Sequence, residues 1–307
     1  MPQRTNPFRL GTRGSRLARA QAELVQTALL RAGTPCEILV LKTSGDRIQD
    51  RPLASAGGKG LFTKELEDAL LVGEIDLAVH SMKDVPTLLP SGLVVAAILH
   101  REDPRDVFLS PRASSLADLP AGASVGTSSV RRSALVRRAR PDVAVKLLRG
   151  NVDTRLRKLD GGDFDAIILA LAGLKRLGAA DRAIRILEIE DWLPALAQGA
   201  IGVEIRAGDA ALHDALRPLD HAPSAIAIAC ERAFQAALDG SCSTAMGGLA
   251  RLDGDVLKFR GQVLSPDGAQ SLDCRFECSL GENARQEAER GGREAGLALR
   301  PKVLGWL

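Results

Sequence analysis

The chain has no tyrosine, two tryptophans and seven phenylalanines, so aromatic residues make up 3% of its 307 positions. That leaves few rings for stacking unpaired bases and argues against nucleic-acid binding. The longest apolar run, Ala166 to Leu174, is nine residues, whereas a membrane-spanning helix needs roughly 20. No membrane association is expected. Histidine occurs only at 80, 100, 213 and 221, in neither H-x-x-x-H nor H-E-x-x-H spacing, so metal catalysis is not expected. Five cysteines (36, 230, 242, 274 and 278) form no C-x-x-C pair and are odd in number, which excludes a closed disulfide framework and leaves at least one thiol free. There is no G-x-S-x-G elbow for serine hydrolysis. Gly60 follows Lys59 where a P-loop needs Ser or Thr, so an NTP site is not expected either. Met1 to Arg13 lacks the apolar core of a secretory signal, and the cytoplasm is the expected location.

What is present describes a folded chain. Hydrophobic residues are 45% and charged residues 26%, outside the disordered regime, and the length suits two domains with a smaller third. Net charge is +3, but Arg131 to Lys158 alone carries ten basic residues against Asp142 and Asp153. The remainder is therefore acidic by 5. Eight of the ten are Arg, whose planar fork matches carboxylate or phosphate in bidentate fashion. The segment reads either as an anion site or as solvated helix faces.

Hydrophobic periodicity orders the elements. A strand over Phe8–Arg13 leads into a helix capped by Ser15, with Leu17, Ala20, Leu24, Val25, Ala28 and Leu29 on its buried face. Strand Cys36–Lys42, helix Leu61–Leu71 and strands Ile75–Ser81 and Leu93–Leu99 follow. After Pro104 the pattern restarts, with strands Val107–Ser110, Ser124–Thr127, Val143–Leu148 and Ala166–Ala170 and helices Val130–Arg140, Val152–Leu159 and Gly173–Leu177. Such continuous apolar strands suit sheets covered on both faces. Gly199–Arg206 reads as a strand returning to the first sheet. From Ser224 the pattern becomes a helix to Leu238, antiparallel strands 247–252, 256–264 and 272–280 with a turn at Pro266-Asp267-Gly268, and a last helix weakened by Gly291-Gly292. The expected fold class is α/β, two doubly wound domains followed by a smaller α+β domain. The expected division is 1–100 with 198–218, 101–197, and 219–307.

Ligands of open α/β sheets sit beyond the carboxyl ends of strands. Arg13 and Ser15 stand there, as does Lys59 in its glycine-rich loop. Thr127, Ser128 and Ser129 open a helix carrying Arg131 and Arg132. Arg149, Gly150 and Arg155 flank the next strand end, and Arg176 the one after. Hydroxyls, helix N–H groups and guanidiniums at successive strand ends suit a ligand with several carboxylates or phosphates. Lys83 and Asp84 follow the third strand; Asp84 reads either as a turn former or as a reacting carboxylate. Cys36 and Cys230 read as small buried hydrophobes. Cys242 lies in the polar loop Gly240-Ser241-Cys242-Ser243-Thr244, where a thiol is accessible and can be activated by cations.

The chain resembles the porphobilinogen deaminase (hydroxymethylbilane synthase) family. The resemblance rests on Thr12-Arg13-Gly14-Ser15, Gly57-Gly58-Lys59-Gly60-Leu61-Phe62, Ala78-Val79-His80-Ser81-Met82-Lys83-Asp84-Val85-Pro86 and Arg101-Glu102-Asp103-Pro104-Arg105-Asp106. It continues through Val125-Gly126-Thr127-Ser128-Ser129, Leu148-Arg149-Gly150-Asn151, Leu171 to Gly178 and Gln198-Gly199-Ala200. These matches run in order from Phe8 to about Gly248; the last 60 residues resemble the family only in length and pattern.

The resemblance implies three domains, the first two like a two-lobed solute-binding protein. It implies a dipyrromethane cofactor, built from substrate and joined by a thioether to Cys242. The implied reaction condenses four porphobilinogen molecules head to tail, releasing ammonia, and water then frees hydroxymethylbilane for heme biosynthesis. Arg13, Ser15, Lys83, Thr127, Ser128, Ser129, Arg131, Arg132, Arg149, Gly150, Arg155, Arg176 and Gln198 would bind cofactor and substrate, Lys59 would help cover the site, and Asp84 would stabilise the azafulvene-like cation left when ammonia departs. A monomer is implied. Ser55 in place of Lys, Ser241 in place of Gly and Ala245 in place of Pro depart from the family pattern; the last two bear on the shape of the cysteine loop. Two rival readings are a non-catalytic solute-binding protein, which would not need Cys242, and a basic nucleic-acid binder, disfavoured by scarce aromatics and the acidic remainder.

Overall fold

The computed structural model describes residues 7–44, 60–238 and 244–307. By internal contacts the chain forms two compact units, one built from Met1–Ile48, Gly58–Arg101 and Ala200–Ala225, the other chiefly from Glu102–Gly199 and Ile226–Leu307.

The first unit runs β1 (Phe8–Arg13), α1 (Arg16–Arg31), β2 (Cys36–Leu41), α2 (Lys64–Leu71), β3 (Leu77–Ser81), a 3-10 turn Met82–Asp84 and β4 (Leu93–Ile98). It is completed by β10 (Ile201–Arg206) and α6 (Ala210–Leu216). The sheet order is β2-β1-β3-β10-β4. The late strand β10 lies antiparallel between β3 and β4, so the sheet is mixed and not wholly parallel. Alternate residues of β3 face opposite sides: Leu77 and Val79 pack with α1 and α6, Ala78 with Leu66, Ala69 and Leu70 of α2. Each fully buried Leu or Val here is worth about 1.5–3 kcal/mol over leaving it exposed. On α1 the buried face is Ala18, Gln21, Ala22, Val25 and Leu29. It is rotated from the sequence expectation, and Leu24 is 50% exposed. The cause is Gln21, a polar residue on the inner face whose amide donates to Ser81 Oγ at 2.8 Å. Apolar periodicity cannot register a buried glutamine that has a partner.

The second unit contains β5 (Asp106–Leu109), β6 (Ser124–Thr127), α3 (Val130–Ala139), β7 (Ala144–Leu147), α4 (Val152–Asp160), β8 (Ala166–Ala170), α5 (Leu171–Arg176) and β9 (Arg185–Ile186). Their sheet order is β7-β6-β8-β5-β9. Strands β7, β6 and β8 are parallel; β5 is antiparallel to β8, placing Asp106 opposite Ala170. The same unit carries a third, antiparallel sheet, β11 (Met246–Asp253), β12 (Val256–Leu264) and β13 (Ser271–Ser279). Its turn at Pro266-Asp267-Gly268 is closed by Ser265 N–H donating to Gln270 O at 3.0 Å. Helices α7 (Ala222–Ala237) and α8 (Ala284–Val303) complete this part, with Cys230, Phe234, Leu299 and Val303 in one core with Leu257, Phe259 and Val263. The mixed α/β sheets and the C-terminal α+β part match the expected fold class. No described helix is long and apolar enough to cross a membrane.

Gly291 and Gly292, expected to weaken the last helix, do not interrupt α8, which is continuous over 20 residues. A Cβ on Gly292 would lie 2.1 Å from the Cys230 carbonyl oxygen, so the glycine lets α8 approach α7 closely. At an exposed helical site Gly→Ala gains roughly 1 kcal/mol. Gly292→Ala should instead cost about 1–3 kcal/mol by overpacking, read as a lower melting temperature; an unchanged or raised midpoint would refute the close-packing role.

Candidate functional site

In the first unit, Arg13 ends β1 and Lys83 and Asp84 follow β3, the neighbouring parallel strand. The Arg13 guanidinium lies 4.1 Å from the centroid of the Phe62 ring, a cation–π contact that holds the cation at the strand end. Ser15 caps α1 by accepting from Ala18 N–H at 3.2 Å. The 3-10 turn is pinned where Met82 N–H donates to Ala200 O at 3.0 Å and Val85 N–H to Met82 O at 3.2 Å. An Asx turn at Asp84 would need the N–H of Pro86, which has none, so that turn-forming role is excluded. Beneath, His80 Nε2 is 2.8 Å from Glu204 Oε2, both side chains buried. Burial raises the neighbouring Glu67 carboxyl above its ordinary range.

In the second unit the carboxyl ends of β7, β6 and β8 lie side by side and bring together most of the expected polar residues. After β6, Thr127 Oγ1 accepts from Ser129 N–H at 3.1 Å, and Ser129 Oγ caps α3 at the Arg132 N–H. After β7, Gly150 has φ +113, and a Cβ there would fall 2.7 Å from the Thr154 side chain, so only glycine fits this turn. Asn151 caps α4 by accepting from Thr154 N–H at 2.9 Å. Arg155 ties the two turns together, donating from Nε to Gly150 O at 2.9 Å and from Nη2 to Ser128 Oγ at 3.4 Å. Beside them the Arg149 guanidinium is pulled below its usual pKa by burial. Beyond β8, Arg176 Nη2 donates to Gly199 O at 2.5 Å. Burial pulls the Arg176 pKa down to about 10, with Glu102 offsetting only part of that cost.

Arg131 and Arg132 are placed differently from the rest. They are 3% and 5% exposed and converge on Asp106, which is fully buried. Asp106 accepts from Arg131 Nη2 at 2.7 Å, from Arg132 Nε and Nη2 at 3.1 and 2.7 Å, from Trp192 Nε1 at 3.0 Å and from Gln198 Nε2 at 2.7 Å. Burial alone would raise the Asp106 pKa, but the two guanidiniums overcome it and hold the carboxyl far below the usual range. Sequence reasoning assigned no role to Asp106 or Trp192. The available signal was an aspartate opening the wholly apolar strand Val107-Phe108-Leu109, where an unpaired charge is not tolerated.

Other members of the basic segment serve the scaffold. Arg140 donates to the carbonyls of Leu116, Ala117 and Leu119 and pairs with Asp142, and Arg137 donates to Pro266 O. Cys242, Lys59, Ser55 and Ser241 lie outside the described residues. Ala245 is 3% exposed and packs in the core that includes Val136 and Leu264. Among the described residues no group of His, Cys, Asp and Glu could hold a metal.

The family model "Porphobilinogen deaminase, dipyromethane cofactor binding domain" matches residues 8–214, and "Porphobilinogen deaminase, C-terminal domain" matches residues 225–300. The chain belongs to the porphobilinogen deaminase family. It is 53% identical to the porphobilinogen deaminase of Nitrobacter hamburgensis over 298 residues, 96% of this chain and 93% of the relative. Against that of Nitrobacter winogradskyi the identity is 52% with the same coverage. Among solved structures, a periplasmic substrate-binding protein of an ABC transporter from Coxiella burnetii is similar at TM-score 0.45 and 16% identity, covering 73% of this chain and 96% of that one. A likeness of that size carries no argument about ligands.

The residues at this edge fit the group named by the family model. A dipyrromethane carries acidic side chains, and the edge offers guanidiniums, hydroxyls and helix N-termini. Two arginines of this family member should respond differently to removal. Arg132→Leu strips two hydrogen bonds from buried Asp106 and should cost about 3–5 kcal/mol. Arg176→Leu leaves Gly199 O its bond from Glu102 N–H at 3.2 Å and should change stability by less than about 1 kcal/mol. Urea unfolding of both variants checks this; equal losses would contradict the difference between a cation paired to a buried carboxylate and one bonded to a carbonyl that keeps a second donor.

Proposed function

We propose that this chain condenses four molecules of porphobilinogen head to tail into hydroxymethylbilane, releasing ammonia, as a transferase of tetrapyrrole (heme) biosynthesis. The observation that carries the reading is the family match over residues 8–214 and 225–300. The arginine-lined edge of the second unit is the physical support for it.

Porphobilinogen bears one acetate and one propionate, so each added unit brings two carboxylates to be held. Arg13, Ser15, Lys83, Thr127, Ser128, Ser129, Arg131, Arg132, Arg149, Gly150, Arg155, Arg176 and Gln198 would bind them. Cys242 would hold the covalent dipyrromethane through its sulfur, and that group would supply the free pyrrole end for chain growth. Loss of ammonia leaves positive charge on the substrate's methylene carbon. Asp84, next to Lys83 and not engaged in an Asx turn, would stabilise that charge and accept the pyrrole N–H. In a site otherwise rich in cations, one fixed carboxylate acts where positive charge develops. Lys59 would help cover the site.

We read the working division as 1–100 with 198–218, 101–197, and 219–307, the last carrying Cys242, in a cytoplasmic monomer. Intact-mass spectrometry should find the protein heavier than its sequence by two pyrrole units, and Cys242→Ala should abolish the increment; a wild-type mass equal to the sequence mass after incubation with porphobilinogen would refute the function. Asp84→Asn should keep the added mass but lose turnover by about 100-fold or more. Normal turnover in that variant would remove Asp84 from its role.

A further inference from the structure

We propose that Asp106 is a positioning residue for the ligand-binding edge, fixing the orientation and the net charge of the Arg131–Arg132 pair. This rests on the reading of that edge as the place where ligand carboxylates bind.

Two guanidiniums this deeply buried repel each other and are each costly to desolvate. Burial weakens Arg131's hold on its proton, Asp106 strengthens it, and Arg132 weakens it again. With one carboxylate between them, the cluster keeps a single net positive charge, enough to attract one further carboxylate.

The geometry fixes direction as well as charge. Asp106 receives five N–H donors, about as many as a carboxylate's roughly four lone-pair sites can serve. It cannot rotate without abandoning one of them. On their other ends the forks are tied to the backbone, Arg131 Nη1 to Leu193 O at 2.6 Å and Arg132 Nη1 to Ile168 O at 3.0 Å. Each guanidinium is thus held from two sides, by Asp106 and by a carbonyl. One donor is left over: Arg131 Nε is buried and makes no hydrogen bond among the described residues. Leaving such a donor unmet costs about 1–3 kcal/mol, a cost that a bound carboxylate can relieve.

The strand arrangement explains why position 106 does this. Because β5 runs antiparallel to β8, its first residue, not its last, comes to the edge where β6, β7 and β8 end. Trp192 and Gln198 then join from the segment that leads back to β10, so the same carboxylate also fixes Gln198.

The test follows cofactor loading by intact mass when porphobilinogen is added to protein made without it. Asp106→Asn should load about tenfold or more slowly at a temperature where it is folded. Its loading should also become more sensitive to chloride, because two buried cations then attract any small anion. Asp106→Glu, which restores the charge, should load within about threefold of wild type. Wild-type loading by folded Asp106→Asn, or equal losses in Asn and Glu variants, would overturn the proposal. Should Asp106→Asn not fold, Trp192→Phe carries the test, because it loosens the carboxylate without changing charge. Loading about three- to tenfold slower with unchanged chloride dependence is then expected, and wild-type loading would overturn the proposal. A wild-type chain that gains no mass overturns the function instead, an outcome these variants leave separate.

Discussion

A buried carboxylate held by two buried guanidiniums organises the second unit. Asp106 on β5 lies 25 residues before the adjacent Arg131 and Arg132 of α3, and none is tolerable in a core without the others. Their pairing therefore dictates that β5 enter the sheet beside β8 with its start at the ligand edge. Trp192 and Gln198 then converge on the same carboxylate, which fixes the segment between β9 and β10. A buried carboxylate in contact with the C-terminal part reinforces this: Glu231 of α7 accepts from Ala197 N–H at 2.6 Å and Ala250 N–H at 2.8 Å. Ala197 has φ +60, a conformation L-residues disfavour, and that anchor holds it one residue before Gln198.

The arginines of the edge fall into two physical classes. Arg131, Arg132 and Arg140 are tied to the protein's own carboxylates and carbonyls, and the fold depends on them. Arg149 and Arg176 are partly buried and shifted toward losing their protons, so their charge is stabilised less than water would stabilise it. An anionic ligand would repair that deficit, so the edge could favour a polyacid without general surface charge. The chain's small net charge fits this economy.

Much of this was legible in the sequence, for identifiable reasons. Short apolar runs such as Ala166–Ala170 suit strands covered on both faces, and the cap Ser15 and the Thr127-Ser128-Ser129 opening mark helix starts that the structure reproduces. The polar residues expected at strand ends stand there because the strand and helix boundaries around them were readable. Three features were not. Gln21 is buried through a bond to Ser81, sixty residues away, which no local pattern announces. Gly292 looks like a weak point in a helix until Cys230 is seen against it. Asp106 looks like one more acid in a polar stretch, because its meaning depends on β5 running antiparallel. Each is a tertiary pairing of residues distant in sequence, where local propensity carries no information.

The claim underlying the whole account is that the strand ends of β6, β7 and β8 grip acidic side chains of a primer tethered through sulfur. The most direct measurement is a crystal structure of the protein after incubation with porphobilinogen. The account predicts density for two linked pyrroles continuous with the Cys242 sulfur, with their carboxylates hydrogen-bonded to arginines of that edge, Arg149 and Arg155 among them. Linked pyrroles whose carboxylates meet only solvent, or density continuous with a different side chain, would contradict it.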